Sequence, residues 1–252
     1  MKVTVLGCGT SSGVPRAPRD WGVCDPGEPR NRRRRPSILV QSATTTLVVD
    51  TGPDFRDQML AAHVERLDAV IYTHDHADHT HGLDDLRGYY RAQGAEIPCY
   101  GAPETLAGLA RRFAYAFEPK RGYPAIARAV PLSLSAPVTI GDIEIVAFVQ
   151  DHGPIQSLGL RIGDFAYSTD VHALPAASFE TLAGVRTWIV DCVQEKPHPS
   201  HAHLARTLDW IATVAPERAY LTHLSQWLDY ASLKAQLPPG VEPAYDGLVL
   251  EI

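Results

Sequence analysis

The sequence His74-Asp75-His76-Ala77-Asp78-His79 directly follows the apolar segment Val70-Ile71-Tyr72-Thr73, which has the composition of a buried β-strand. Imidazole nitrogen and carboxylate oxygen both bind borderline divalent metals, and placing several such ligands on one turn lowers the entropy cost of assembling a coordination shell. The spacing predicts an irregular loop that directs its first two histidines toward one metal and its Asp-His pair toward a second. The alternative is a solvated histidine-rich surface loop, but such a run rarely follows a fully apolar strand.

Four ligands from one loop cannot complete two coordination shells, so this interpretation requires partners elsewhere in the chain. Three residues supply them: His152 after Asp151, Asp170 in Ser168-Thr169-Asp170, and His223 in Leu221-Thr222-His223. Each lies where an apolar strand pattern stops. Strand ends and the loops after them carry the chemistry of many α/β proteins, because a rigid sheet fixes the loop that holds the ligands.

Short apolar, β-branched runs alternate with helical patterns along the whole chain, and we find no internal repeat. The predicted strands are Val3–Leu6, Ile38–Val40, Thr46–Asp50, Asp68–Tyr72, Thr139–Val149, Ser157–Ile162, Phe165–Ser168, Thr187–Asp191 and Arg218–Thr222. The predicted helices are Phe55–His63, Leu83–Ala92, Pro103–Ala116, Pro175–Leu182, His203–Val214 and Tyr230–Gln236. This order indicates an α/β protein with sheets covered by helices, and the length of 252 residues favours one domain over residues 1–252.

Composition excludes several classes of protein. The net charge of -6 argues against a protein that binds long nucleic acid, although small phosphorylated substrates stay possible. The N-terminal residues enter a strand pattern without the features of a signal peptide, and no apolar run is long enough to cross a membrane. The four cysteines are widely scattered, which predicts a reduced, cytoplasmic setting. A homodimer is an open expectation that rests only on the frequency of two-fold pairs.

Together with Asp50 in Val49-Asp50-Thr51-Gly52, the metal motifs resemble those of the metallo-β-lactamase superfamily over nearly the whole chain. The resemblance implies a four-layer αββα fold, in which two mixed β-sheets lie between helices. It implies that Asp50 orients a ligand from outside the coordination shell, whereas alone Asp50 could equally cap a helix before Pro53. It assigns the metal ligands as follows: His74, His76 and His152 to one metal, Asp78, His79 and His223 to the other, and Asp170 as the bridge between them.

Two neighbouring metals can lower the pKa of a shared water and neutralise charge on a phosphoryl oxygen during in-line attack. This chemistry suits phosphodiesters, but thioesters and lactams are hydrolysed by similar centres, so the metals alone do not name the substrate. Mixed histidine and carboxylate shells accept Mn²⁺ or Zn²⁺, and the sequence does not choose between them.

Three further segments, Gly7–Pro15, Asn31–Ser37 and Tyr245-Asp246-Gly247, resemble the phosphodiesterases that act on phosphoribosyl 1,2-cyclic phosphate. That resemblance implies a histidine that protonates the leaving oxygen, and His201 matches its position best. His203 is the rival for this role, and Asp191 could support the site or simply end a strand. The residues implied to take part in catalysis are His201, Asp78 and Asp170.

The chain departs from this branch at one place. Its members often carry a separate structural zinc held by several cysteines and a late histidine, but here only Cys24 is present. Arg19, Trp21 and Gln226 stand where the other ligands would fall. A single thiol cannot form a closed four-ligand site, so we expect no structural zinc and a loop held by packing of Trp21.

Two other segments have two interpretations each. The run Arg32-Arg33-Arg34-Arg35 is either a phosphate-binding element or, as most charge runs are, a solvated basic loop. The glycines of Gly7–Gly13 either offer backbone donors to phosphate or let the chain pass close to the site.

The sequence therefore predicts a dinuclear metal-dependent phosphodiesterase that hydrolyses a cyclic phosphate, such as phosphoribosyl 1,2-cyclic phosphate or a 2′,3′-cyclic nucleotide. The alternatives are a tRNA 3′-processing endonuclease of the ribonuclease Z kind, a thioester hydrolase, and a metal-binding sensor or inactive interaction protein.

Overall fold

Two seven-stranded sheets form the centre of the fold in the computed structural model, which describes residues 1–120, 122–134 and 136–252. The strands are β1 Lys2–Gly7, β2 Ser37–Gln41, β3 Thr46–Val49, β4 Ala69–Ile71, β5 Ile97–Gly101, β6 Ala127–Pro131, β7 Val138–Ile140, β8 Ile143–His152, β9 Ile155–Ile162, β10 Phe165–Ser168, β11 Thr187–Asp191, β12 Arg218–Thr222, β13 Val241–Pro243 and β14 Val249–Glu251. The helices are α1 Phe55–Ala61, α2 Ala77–Thr80, α3 Leu86–Gln93, α4 Pro103–Arg112, α5 Ala114–Phe117, α6 Ala176–Leu182, α7 Leu204–Val214 and α8 Tyr230–Gln236, with short 3-10 turns at Pro29–Asn31 and Leu83–Asp85.

Both sheets are mixed. The first runs in the order β14-β1-β2-β3-β4-β5-β6 and is parallel from β3 to β6. The second runs β13-β12-β11-β10-β9-β8-β7 and is parallel from β10 to β13. In both sheets the parallel strands are joined by helices, as parallel connections require.

The apolar side chains form three layers of core. The layer between the sheets includes Val5 and Ile71 from the first sheet and Ile189 from the second. The outer face of the first sheet packs on α1, α3 and α4, and that of the second sheet packs on α6, α7 and α8. Trp188 and Leu233 are fully buried in the latter layer. The order of helices, sheet, sheet and helices confirms the predicted αββα fold.

The structure corrects several predicted elements. The segment predicted as one strand, Thr139–Val149, is the hairpin β7–β8, which turns at Gly141 with a φ of 62°. The predicted helix Pro103–Ala116 is interrupted at Phe113, which has a φ of -119° and separates α4 from α5. Four strands, β5, β6, β13 and β14, escaped prediction because they are short and three of them contain proline.

Of the helices in the described residues, none has the length and apolar composition needed to cross a membrane.

Candidate metal centre

The run His74–His79 is only partly the irregular loop that its spacing predicted. His76 is extended, with a φ of -64° and a ψ of 155°, and the helix α2 begins directly after it. The carbonyl of His76 accepts the hydroxyl of Thr80 at 2.8 Å, which closes this single helical turn. As a result Asp78 and His79 project from a helix, while the first two histidines project from the extended segment before it.

One cluster of side chains collects ligand atoms from β4, β8 and β10. His152, at the end of β8, places Nε2 3.3 Å from His76 Nδ1 and 3.6 Å from Asp170 Oδ1. His74 Nε2 lies 3.9 Å from the same carboxylate oxygen. These four residues, His74, His76, His152 and Asp170, offer one ligand atom each, and all four atoms lie within 4.8 Å of one another.

A second cluster lies on the other side of Asp170. His79 Nε2 is 3.3 Å from Asp78 Oδ2 and 3.0 Å from Asp170 Oδ2, while His223 Nδ1 is 3.2 Å from that same Asp170 oxygen. These four residues again present ligand atoms within 4.8 Å of one another. Asp170 turns one oxygen to each cluster, which is the geometry that a bridging carboxylate needs.

The spacing and the chemistry of both clusters fit divalent ions. Ligand atoms that lie about 2.1 Å from a tetrahedral metal are separated by roughly 3.4 Å, close to the distances above. Three imidazole nitrogens, His74 Nε2, His79 Nε2 and His223 Nδ1, are buried without a hydrogen-bond partner. Orphaned buried polar atoms are costly, so a set that converges on one carboxylate fits the coordination of a cation.

Asp50 orients residues of the metal centre through hydrogen bonds. It does not cap a helix. Its Oδ2 lies 2.7 Å from His79 Nδ1 and accepts the hydroxyl of Thr73 at 2.8 Å, while Oδ1 accepts the Thr73 backbone N–H at 2.9 Å. Since a carboxylate only accepts, His79 donates from Nδ1 and keeps Nε2 free for a metal. The Thr73 hydroxyl also lies 3.0 Å from His74 Nδ1, a link between the two clusters that residue type alone did not reveal.

Three of the residues at the site have left-handed backbone conformations. Asp50, Asp170 and His223 have φ values of 66°, 54° and 58°. Asp50 and His223 directly follow β3 and β12, and Asp170 follows β10 after Thr169. Non-glycine residues adopt this region at a cost of order 1–3 kcal/mol, and they do so most often at functional sites. The sharp turn folds each side chain back over the end of its sheet, toward the other ligands.

Burial favours the neutral form of three ligand histidines, whereas the carboxylates of Asp170, Asp78 and Asp50 raise the pKa of a fourth, His79. It holds the pKa of His74 well below its usual range, and it lowers the pKa of His152 and His223 despite the nearby Asp170. A neutral imidazole is the form that binds a metal, so these rings are ready to coordinate at neutral pH. For Asp78 and Asp170, burial would raise the pKa, but the surrounding histidines outweigh it and keep both carboxylates ionised.

Residues 45–224 match the model of the beta-lactamase superfamily domain, which covers more than half of the chain. The chain belongs to the metallo-β-lactamase superfamily. Its fold is that of a crystal structure described as a new diphosphatase from the PhnP family, with a TM-score of 0.92 and 35% identity over 100% of this chain and 97% of that one. This superfamily member therefore lies in the PhnP-like branch, and it is a metal-dependent hydrolase.

Two curated relatives carry other names. An octanoyltransferase of Porphyromonas gingivalis is 33% identical over 98% of this chain, which corresponds to 51% of that protein. A ribonuclease Z of Bradyrhizobium sp. strain ORS 278 is 29% identical over 58% of this chain and 49% of that protein. The chain spans about half the length of these curated relatives, so neither name transfers to it. The PhnP-family and ribonuclease Z likenesses together support a metal-dependent phosphoesterase.

His201 is a further imidazole that contacts the two clusters. Its Nε2 lies 3.9 Å from Asp170 Oδ1, and its ring stacks on that of His223 at 4.6 Å between centroids. On the other side, Nδ1 lies 3.0 Å from Oδ2 of Asp191, which also accepts the backbone N–H of Val171. Burial alone would lower the pKa of His201, but the charges of Asp191 and Asp170 raise it to about 9. Asp191 therefore holds one nitrogen of the ring, and the other, Nε2, faces Asp170.

The environments of His201 and His203 differ in the structure. His203 lies at the start of α7, where its backbone carbonyl accepts the N–H of Thr207. Its imidazole is partly exposed, and burial together with Arg206 lowers its pKa. The ring of His198 lies beside that of His201, with 5.0 Å between the ring centroids. Of the three, His201 is the one that contacts Asp170.

The loop around Cys24 contains a buried guanidinium. Arg33 is 2% exposed, and it donates to the carbonyls of Ser225 at 2.9 Å and Leu228 at 2.7 Å and to Asn31 Oδ1 at 3.1 Å. Its Nη1 lies 4.0 Å from Cys24 Sγ. The interpretation of this arginine as part of a solvated basic loop was therefore wrong, because it cross-links the loop near Cys24 to the segment after β12.

Two other arginines of this run also have local partners. Arg32 lies over the Trp21 ring at 5.1 Å, and Arg35 Nε lies 3.1 Å from Asp54 Oδ2. The glycines of the N-terminal turn allow close passage, since a Cβ on Gly7 would meet the Arg35 carbonyl at 2.0 Å. Gly52 is equally restricted, with the Asp78 carbonyl 2.1 Å from where its Cβ would be. These contacts favour a structural role for both segments.

Proposed function

We propose that this chain is a dinuclear phosphodiesterase that hydrolyses a cyclic phosphate, such as phosphoribosyl 1,2-cyclic phosphate or a 2′,3′-cyclic nucleotide. The seven ligands would be His74, His76, Asp78, His79, His152, Asp170 and His223, holding two divalent ions, Mn²⁺ or Zn²⁺. When bound, such ions neutralise charge on a phosphoryl oxygen and acidify a water molecule. The similarity to a PhnP-family diphosphatase over the full chain supports chemistry at phosphorus.

The observation that carries the proposal is the pair His201 and Asp191. A departing sugar alkoxide is strongly basic and needs a proton, whereas a thioester leaves as a thiolate and needs much less help. Asp191 fixes the His201 ring by accepting from Nδ1, so the proton on Nε2 faces the cleft beside Asp170. His201 would donate that proton to the leaving oxygen, and Asp191 would hold the ring in the orientation that makes this possible.

The test compares leaving groups in the metal-loaded protein. His201→Ala should lower the rate on cyclic phosphates by roughly 10²- to 10⁴-fold, the usual contribution of a general acid. It should lower the rate on bis-p-nitrophenyl phosphate far less, because nitrophenolate departs without a proton. His203→Ala is the matched control and should retain full activity on both. Equal losses on both substrates, or equal losses in both variants, would contradict the assignment of His201.

The Bradyrhizobium relative favours one second candidate, cleavage of precursor tRNA. The net charge of -6 argues against it, since binding of a tRNA depends on phosphate neutralisation by basic side chains. Assays on precursor tRNA and on an octanoyl thioester, run beside the cyclic phosphates, separate these activities. If the wild-type protein hydrolyses no phosphodiester under metal-loaded conditions, the proposed function is wrong.

A further inference from the structure

A cavity of about 330 Å³ lies beside the loops that carry His201 and His223. Four residues line it, Gln194, Glu195 and Lys196 after β11, and Trp227 after β12. Trp227 is 50% exposed and is among the largest apolar side chains at the surface of the described residues. Single exposed apolar residues are common, so the position of this indole matters more than its exposure.

The two chain segments that line this cavity also carry His201 and His223. The backbone N–H of Ser225 donates to the carbonyl of Val193 at 3.2 Å, which joins the two loops close to the cavity. The first segment then continues to His201, and the second begins at His223, four residues before Trp227. A chain of four residues spans at most about 14 Å, so the backbone of Trp227 lies no farther than this from that of His223.

The lining chemistry fits a planar heterocycle. An indole face stacks on the face of a nucleobase, and this contact accepts every base because every base has such a face. Gln194 donates from its amide nitrogen to the Lys196 carbonyl at 3.1 Å, which holds its side chain in place at the rim. A neighbouring carboxylate, Glu195, accepts from the amino or imino hydrogens at the edge of a base. A bare sugar phosphate presents neither the face nor such an edge.

We propose that this cavity is a base-binding subsite in which Trp227 stacks on the nucleobase of the substrate. The inference rests on the proposed phosphodiesterase function, and it narrows the substrate class to cyclic nucleotides. Phosphoribosyl 1,2-cyclic phosphate would bind without using the cavity.

Trp227 is itself the reporter for a binding experiment. Adenosine and guanosine 3′-monophosphates, the products expected from 2′,3′-cyclic nucleotides, should quench the tryptophan fluorescence of the metal-loaded wild-type protein. Ribose 5-phosphate, which lacks a base, should not. In calorimetric titrations, which do not depend on the reporter indole, Trp227→Ala should weaken nucleotide binding by roughly 5- to 150-fold, the usual value of one base stack, whereas Trp227→Phe should retain most of it. Trp210→Phe, at a half-buried tryptophan of α7, is the matched control and should leave binding unchanged.

Turnover gives a second readout. In Trp227→Ala the KM for 2′,3′-cyclic nucleotides should rise by the same factor, while the KM for phosphoribosyl 1,2-cyclic phosphate should not change. Ribose 5-phosphate binding as tightly as the nucleotides, or a Trp227→Ala variant with wild-type affinity, would overturn the subsite. If the wild type hydrolyses no phosphodiester, the proposed function fails, but the fluorescence titration still decides whether the cavity binds a base.

Discussion

Asp50→Asn tests how the buried carboxylate behind the metal centre sets the affinity for its ions. Asp50 is fully buried and accepts three hydrogen bonds, two from Thr73 and one from His79 Nδ1 at 2.7 Å. An asparagine keeps the shape but has one accepting oxygen and one NH₂ group. In either orientation of the amide a donor then faces a donor, because the NH₂ group meets either the N–H of His79 Nδ1 or the backbone N–H of Thr73.

The size of the effect follows from the role of such outer partners. Their loss typically costs 10- to 100-fold in metal affinity, which is about 1.4–2.7 kcal/mol. The ion held by Asp78, His79 and His223 should be the more affected, because His79 binds in that cluster. Thr73 also contacts His74, so we expect a smaller loss at the other cluster.

Calorimetric titration of the metal-free protein with Mn²⁺ or Zn²⁺ measures the affinity of both metal sites. The wild-type protein should bind two ions. Asp50→Asn should bind one of them, the ion held by Asp78, His79 and His223, 10- to 100-fold more weakly. The control is Asp142→Asn, which removes a carboxylate that accepts from the Ser42 and Thr45 hydroxyls near the opposite end of β3. A melting curve of each metal-free variant shows whether it folds. If Asp50→Asn binds both ions like the wild type, or if Asp142→Asn loses as much affinity, the reasoning about Asp50 is wrong.

Three further predictions concern activity, stability and pH. Asp170→Asn should abolish hydrolysis and reduce the bound metal from two ions to one, measured by elemental analysis after dialysis, because each carboxylate oxygen faces a different cluster. Arg33→Met should destabilise the protein by on the order of 3 kcal/mol in urea unfolding, since it strands buried carbonyls, whereas Arg32→Met should cost less than about 1 kcal/mol. Burial raises the pKa of Asp246 from 3.8 to about 6, so the folded state binds the proton more tightly than the unfolded state. Its contribution to stability is therefore gained as pH falls from 7 to 4, by up to about 3 kcal/mol, and lost as pH rises through 6. Asp246→Asn should lack this gain when unfolding free energies are compared across that range, and an unchanged pH profile would contradict the shifted pKa.

The residues that meet at the centre could be predicted because each has a local signal. His74, Asp170 and His223 all follow apolar runs in the sequence, and the carboxyl ends of parallel strands meet at one edge of a sheet. The partners of these residues had no such signal. Thr73 links Asp50 to His74 through a hydroxyl that any strand end could carry, and nothing in its neighbours distinguishes it.

The buried arginine shows a different limit. A run of four arginines indicates a solvated surface, because a charge is buried only where it finds polar partners. For Arg33 two of those partners are the backbone carbonyls of Ser225 and Leu228, nearly two hundred positions away along the chain. A carbonyl is present in every residue, so this contact cannot be predicted from the identity of the residues that make it. The same reasoning explains why short strands such as Val241–Pro243 were missed, since pairing with β12 rather than local composition stabilises them.

The backbone conformation after three of the strands restricts which residues can stand at the metal centre. Asp50, Asp170 and His223 each leave a parallel strand through a left-handed conformation, which costs stability at a residue other than glycine. A glycine would relieve the strain but would remove the side chain that the centre needs. The three positions follow strands of both sheets, so packing of one sheet on the other brings their side chains together. The interface between the sheets is therefore part of the metal centre, and substitutions in it, such as at Ile189 behind Asp191, should change metal affinity as well as stability.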